Sequence, residues 1–132
     1  LWNDRPRRLS SDDYRYRPLD FDATEPDYLA RWLARHNPFH PDIVLWGAGY
    51  DTRKRAELLV GHGVRITHYV DINPRKIGLR IHDRPVLAPD QLPPPGTVFV
   101  VPYVGRRGVH AEIRQRLAAK GYREGQHFIL GA

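Results

Sequence analysis

The 132-residue chain has no cysteine and no methionine. Without cysteine there is no disulfide framework and no thiolate metal site, so the core alone must hold the fold. A chain that starts at Leu1 and has no initiator methionine reads as a processed product or an excised piece of a longer protein. No apolar run approaches the roughly 20 residues that a bilayer-spanning helix needs, and no signal-peptide pattern opens the chain. The expectation is a cytoplasmic protein with no membrane span. Acidic residues are also scarce, 15 Asp and Glu against 21 Lys and Arg, leaving a formal net charge of +6. That excess fits nucleic acid, a membrane surface or phosphorylated ligands. The arginines are spread through every segment, however, with no basic run interleaved with aromatics, which ranks nucleic acid low. The length allows one core and is too short for two full domains.

The stretch from Ile43 to Asp71 organises the rest. Ile43-Val44-Leu45-Trp46 is a near-continuous apolar run that leads into Gly47-Ala48-Gly49, then a helical pattern, then a second apolar run ending on Asp71. This is a strand, a glycine turn, a helix and a strand. A parallel strand pair needs such a crossover, and its right-handed form puts the glycine turn at the carboxyl edge of the sheet, where open α/β folds bind ligands. Glycine tolerates positive φ and has no Cβ to hold a phosphate away from the backbone N–H groups of a helix start. The candidate binding residues are therefore Gly47, Ala48, Gly49 and Tyr50. Asp71 joins them at the spacing where an acid meets a ribose hydroxyl in dinucleotide-binding folds, its carboxylate facing the backbone amides of the turn.

The pattern is G-x-G-x-x-T, with Thr52 where the full fingerprint has a third glycine. Asp51 at the helix start can cap the free N–H groups itself and would repel a pyrophosphate there, whereas Arg53, Lys54 and Arg55 in the next turn favour an anion. Two readings stand: a bound nucleotide, or a crossover unit whose glycines only make a tight turn.

Around this unit, residues 1–21 show neither helical nor strand periodicity and read as an irregular linker, with Asp12-Asp13 a solvated turn. Thr24-Glu25-Pro26-Asp27 carries helix-start signals, Leu29, Trp32, Leu33 and His36 follow at helical spacing, and Asn37-Pro38 ends the helix. His36 and His40 have metal-ligand spacing, but the prolines break the helix that would use it. After Asp71 the chain makes a short excursion instead of a second crossover helix, with Val86-Leu87 a small strand. Thr97 to Val101 is a third buried strand, followed by a loop holding Arg106 and Arg107. That loop lies at the same sheet edge, where its arginines would clamp phosphates or simply be solvated. A last helix buries Val109, Ile113 and Leu117, and His127 to Leu130 forms a short fourth strand. The fold expected is a small Rossmann-like α/β/α domain over residues 41–132, its sheet all parallel in the order 2-1-3-4, preceded by a linker and one helix in residues 1–40.

Several stretches carry a resemblance. WGAG at Trp46 to Gly49, VDINPRKIG at Val70 to Gly78 and RPVL at Arg84 to Leu87 look like the small Rossmann-like modules of polysaccharide-biosynthesis enzymes, which share the pattern D-x-x-P-x-x-x-G. LWNDRPRRLSSDDYRY at Leu1 to Tyr16, joined to YLARWL at Tyr28 to Leu33, resembles the carboxyl-terminal portion of bacterial family 2 glycosyltransferases. Under that resemblance Trp2, Asp4, Arg8, Leu9 and Ser10 are the tail of an absent catalytic domain, which becomes the expected partner. The metal-binding D-x-D motif of those transferases is missing after any apolar strand, so the resemblance implies an accessory domain that transfers no sugar alone.

Three functions follow from these readings. The first is a docking module that holds a nucleotide, nucleotide-sugar or dinucleotide at the glycine turn, Asp71 and Arg106. The second is an enzyme domain using NAD or S-adenosylmethionine, although no acid/base pair stands out and Tyr103 reads as a core or rim aromatic. The third is an interaction domain without a ligand. The sequence leaves the oligomeric state open, a homodimer being one arrangement it allows.

Overall fold

A computed structural model of the protein describes residues 26–104 and 109–131. Helix α1 (Pro26–His36) opens on a proline with Asp27 in its first turn and closes with Arg35 and His36 in its last, which suits the helix dipole at both ends. Its buried residues, Leu29, Ala30, Trp32 and Leu33, recur at helical spacing on one face. The chain then turns on Asn37, a buried polar residue whose hydrogen bonds are all local. Its Oδ1 accepts the Phe39 N–H at 2.8 Å, and its Nδ2 donates to the Asp42 carbonyl at 2.9 Å. This bond delivers the chain to strand β1 (Asp42–Trp46).

The remaining elements are helix α2 (Tyr50–Gly61), strands β2 (Arg65–Val70), β3 (Arg80–Ile81) and β4 (Arg84–Leu87), a single 3-10 turn (Pro89–Gln91), strand β5 (Val100–Pro102) and helix α3 (Val109–Ala119). The sheet order is β3-β4-β2-β1-β5. β1 lies between β2 and β5 and runs parallel to both. It is buried on both faces, which is why it has no polar alternation. Ile43 and Leu45 join a core with Leu29 and Leu33 of α1 and Ala56 and Leu59 of α2. Val44 and Trp46 join a second core with Ile113 and Leu117 of α3. Helices therefore cover both faces, giving the three-layer Rossmann-like arrangement expected from the sequence. A bulge between Ile43 and Val44 pairs them with Ile66 and His68, leaving Thr67 unpaired on β2. That extra residue lets Ile66 and Tyr69, three apart, enter the same core.

The order β2-β1-β5 matches the expected 2-1-3, and two other expectations are corrected. His127 to Leu130 is not a full strand, although isolated parallel bridges join Phe128 to Val100 and to Glu124, and the Val100 N–H to His127 carbonyl (3.1 Å) and Ile129 N–H to Val100 carbonyl (3.2 Å) bonds lay it along β5. Local bonds tie its first residue back to Arg123, His127 N–H to the Arg123 carbonyl at 2.7 Å and Arg123 N–H to His127 Nδ1 at 2.8 Å, which limits the length of the pairing. Nor is the sheet all parallel. Beyond β2 lies β4, parallel to it, and then β3, antiparallel to β4. The reversal is made at His82 and Asp83, with φ of 53° and 64°, a tight hairpin turn without glycine. No described helix is long and apolar enough to cross a membrane. Residues 1–25, with the linker reading and the resemblance they carry, lie outside the described residues.

Candidate functional site

β1, β2 and β5 end together at the carboxyl edge of the sheet, over a cleft of about 1240 Å³. The glycine turn and the start of α2 form one side, Asp71 to Lys76 another, and α3 the third. This is the topological position expected of a ligand site in an open α/β sheet, where neighbouring crossovers diverge from β1.

The two glycines of the turn answer to different demands. Gly47 has φ +133°, and a Cβ there would stand 2.8 Å from Thr52 Cγ2 and 3.0 Å from Val104 Cγ2. The fold itself requires glycine at this position, and Thr52, in the third fingerprint position, packs its methyl into the space the missing Cβ leaves. Gly49 has φ −71° and ψ 160°, a conformation open to any residue, and a Cβ there meets no atom within 4 Å. It lines the cleft, so a side chain added at this position would project into free space. No side chain caps the helix start. The amides of Gly49, Tyr50 and Asp51 find no acceptor among the described residues, leaving donors at the mouth of the cleft.

Ala48 and Asp71 meet, with one revision to the expectation. The Asp71 carboxylate does not face an open row of amides, because Oδ2 already accepts the Ala48 N–H at 2.9 Å and Oδ1 accepts the Asn73 N–H at 2.9 Å. Each oxygen has a second lone pair, so the carboxylate can still receive hydroxyl donors from the cleft. It is thus both a brace between two loops and a wall of the site. A second short-range turn, Arg75 N–H to Asn73 Oδ1 at 3.0 Å, and Gly78 at φ +91° complete the D-x-x-P-x-x-x-G segment as a compact loop.

Tyr50 stands on the rim, 66% exposed, with the Arg53 and Lys54 cations about 6 Å from its ring centre, at 5.9 and 6.0 Å. Arg106 and Arg107 lie outside the described residues. Of Arg53, Lys54 and Arg55, the basic residues expected to favour an anion, Arg55 lines the cleft, joined by Lys76, Glu112 and Arg116, which sequence reasoning missed. Arg55 donates to the Tyr103 carbonyl at 3.2 Å and lies 5.0 Å from the centre of its ring. Arg116 pairs with Glu112 at 3.2 Å. Ile113 and Leu117, four apart with Val109 one turn before, mark the apolar stripe of α3, and the adjoining positions 112 and 116 were the available signal for its cleft-facing edge.

Tyr103 is a core aromatic, 2% exposed. Burial pushes its phenol above the ordinary tyrosine range, partly offset by the Arg55 guanidinium. Among the described residues no group of three or more His, Asp or Glu side chains could hold a metal ion. His36 closes α1 while His40 lies beyond it, so they share no helix.

No family model matches the chain, and no curated protein matches it. A solved structure described as "Crystal structure of RSP in complex with beta-NADH" is similar at 17% sequence identity and a TM-score of 0.44. The match covers 67% of this chain and 51% of that one, about half its length. At that level of similarity it carries no argument about function, and the Rossmann-like assignment rests on the strand order and layers described above.

Proposed function

We propose that the cleft binds a nucleotide or nucleotide-sugar, and that the chain is an accessory docking domain of a glycosyltransferase with no sugar transfer of its own. The observation that carries the binding half is Gly49. Neither its backbone conformation nor its packing asks for glycine, yet it lines the cleft, beside amides that find no acceptor among the described residues. A ligand approaching the backbone closely is the physical reason for glycine at such a place. Asp71 adds acceptor capacity for ribose hydroxyls at the neighbouring strand end. The glycosyltransferase half rests on the resemblance of Leu1 to Tyr16 and Tyr28 to Leu33 to the carboxyl-terminal portion of family 2 enzymes.

Thermal denaturation in the presence of UDP, a UDP-sugar, NAD and S-adenosylmethionine tests the binding half. A true ligand raises the midpoint with concentration, by the equivalent of about 2.7 kcal/mol at a hundred times its Kd. Stabilisation by UDP or the UDP-sugar supports the proposal. Stabilisation by NAD or S-adenosylmethionine alone would move the reading to an enzyme domain, and none at all to an interaction domain without a ligand.

A further inference from the structure

The turn that presents Gly49 is itself held from outside the cleft. Arg53 Nε donates to the Ala48 carbonyl at 2.9 Å, and its Nη1 lies 3.3 Å from His82 Nε2. A guanidinium can only donate, so in this contact the ring nitrogen is the acceptor. His82 is brought there by the β3–β4 hairpin turn, whose two positive-φ positions are ones that asparagine, aspartate and glycine favour. Arg80 Nη2 steadies the turn through the Asp83 carbonyl at 3.0 Å. Backbone strain of this kind, kept at a turn that a glycine would relax, needs a reason in what the side chain reaches.

The reason lies one peptide away. The Ala48–Gly49 peptide is trans, so its carbonyl and the Gly49 N–H point in opposite directions. Of the described residues, Gly49 lines the cleft, while Ala48 and Arg53 do not. The carbonyl is thus drawn away from the cleft, toward Arg53, and the same peptide plane turns the N–H of Gly49 toward it. The Asp71 carboxylate fixes the preceding peptide through the Ala48 N–H. Both peptides flanking Ala48 are clamped, one from β2 and one from α2, around an Ala48 side chain that is fully buried.

We propose that Arg53 is the positioning residue of this site: by holding the Ala48 carbonyl it aims the Gly49 N–H into the cleft, and the His82–Asp83 hairpin turn keeps Arg53 in place. The inference rests on the binding reading above for its ligand and on the hydrogen bonds alone for its geometry, so the two can fail separately.

The test uses the whole chain as wild type, Arg53→Ala and Arg53→Lys. It pairs equilibrium dialysis of UDP, NAD and S-adenosylmethionine with the NMR resonances of the Ala48 carbonyl carbon and the Gly49 amide. Expected for Arg53→Ala are displaced resonances at both atoms, unmoved amides in α3, and an affinity loss of about tenfold for the probe that the wild type takes, the worth of one charge-assisted hydrogen bond. Arg53→Lys, which keeps a donor for the carbonyl, should recover part of both, an outcome that a merely structural role would not produce. If Arg53→Ala does not fold, the Lys variant decides, through an intermediate shift of the Gly49 amide. A wild type that binds no probe would sink the binding reading while the resonances still judge the geometry. A Gly49 amide indifferent to Arg53, or wild-type affinity in Arg53→Ala, overturns the positioning role.

Discussion

At Gly47 a Cβ would collide with Thr52 and Val104, whereas at Gly49, two residues further along the same turn, it would meet open space. One glycine is there because strand, turn and helix close on each other, and the other stands at the mouth of a cleft that the fold does not fill. A glycine motif read from sequence merges these two causes. The geometry separates them, and only the second bears on a ligand. The same division runs through the acids at the two edges of the sheet, one opening β1 and the other following β2. Asp71 at the carboxyl edge braces two loops and faces the cleft, while Asp42 at the amino end makes an exposed ion pair with Arg65.

The largest effect should come from Gly47→Ala. Positive φ and a 2.8 Å contact with a packed methyl together should cost about 3 kcal/mol in urea unfolding, and a loss under about 1 kcal/mol would remove the contrast between the two glycines. Next comes Asp71→Ala. It removes two hydrogen bonds to backbone N–H groups, and we expect about 2 kcal/mol of destabilisation together with weaker nucleotide binding. An unchanged unfolding midpoint would mean that Asp71 is no brace and serves the cleft alone.

The smallest effect belongs to Asp42→Asn. The hydrogen bond from Arg65 holds the Asp42 carboxyl below the ordinary carboxylate range against the opposing effect of burial, with the charge of Arg65 adding to it. A depressed folded-state pKa gives stability that is present above the unfolded-state pKa and lost as pH falls through the folded one. The variant should therefore melt slightly lower than wild type at neutral pH, and the gap should close in acid below that range. A gap that persists or widens there would assign the effect to something other than the ion pair. Because the pair is solvent-exposed, the neutral-pH difference should be far below that of either turn variant.

The central part of the fold was legible because its residues leave little choice. Ile43 to Trp46 is too apolar for anything but a buried strand, and the glycine turn, helix and second run that follow admit one topology. Local chemistry hid the rest. The β3–β4 hairpin turns on His82 and Asp83, which carry no turn signature. His127 to Leu130 does lie along β5, but local bonds between Arg123 and His127 keep it to isolated bridges instead of a full strand. The site was legible as a position but not as a constellation. Gly47, Gly49 and Asp71 announce themselves by spacing. Lys76, Glu112 and Arg116 reach the cleft only through packing of separate elements, and the second role of Asp71, toward Ala48, depends on a register that no single segment specifies.

Gly49→Val puts the account at greatest risk. Its backbone angles admit valine and no atom stands in the way, so the melting midpoint should stay close to that of wild type while the side chain fills the approach to the helix start. Equilibrium dialysis with UDP should then show binding by wild type and a loss of about tenfold or more in the variant. Equal affinity in the two proteins would mean that the ligand does not approach the turn, and the assignment of the cleft would fall.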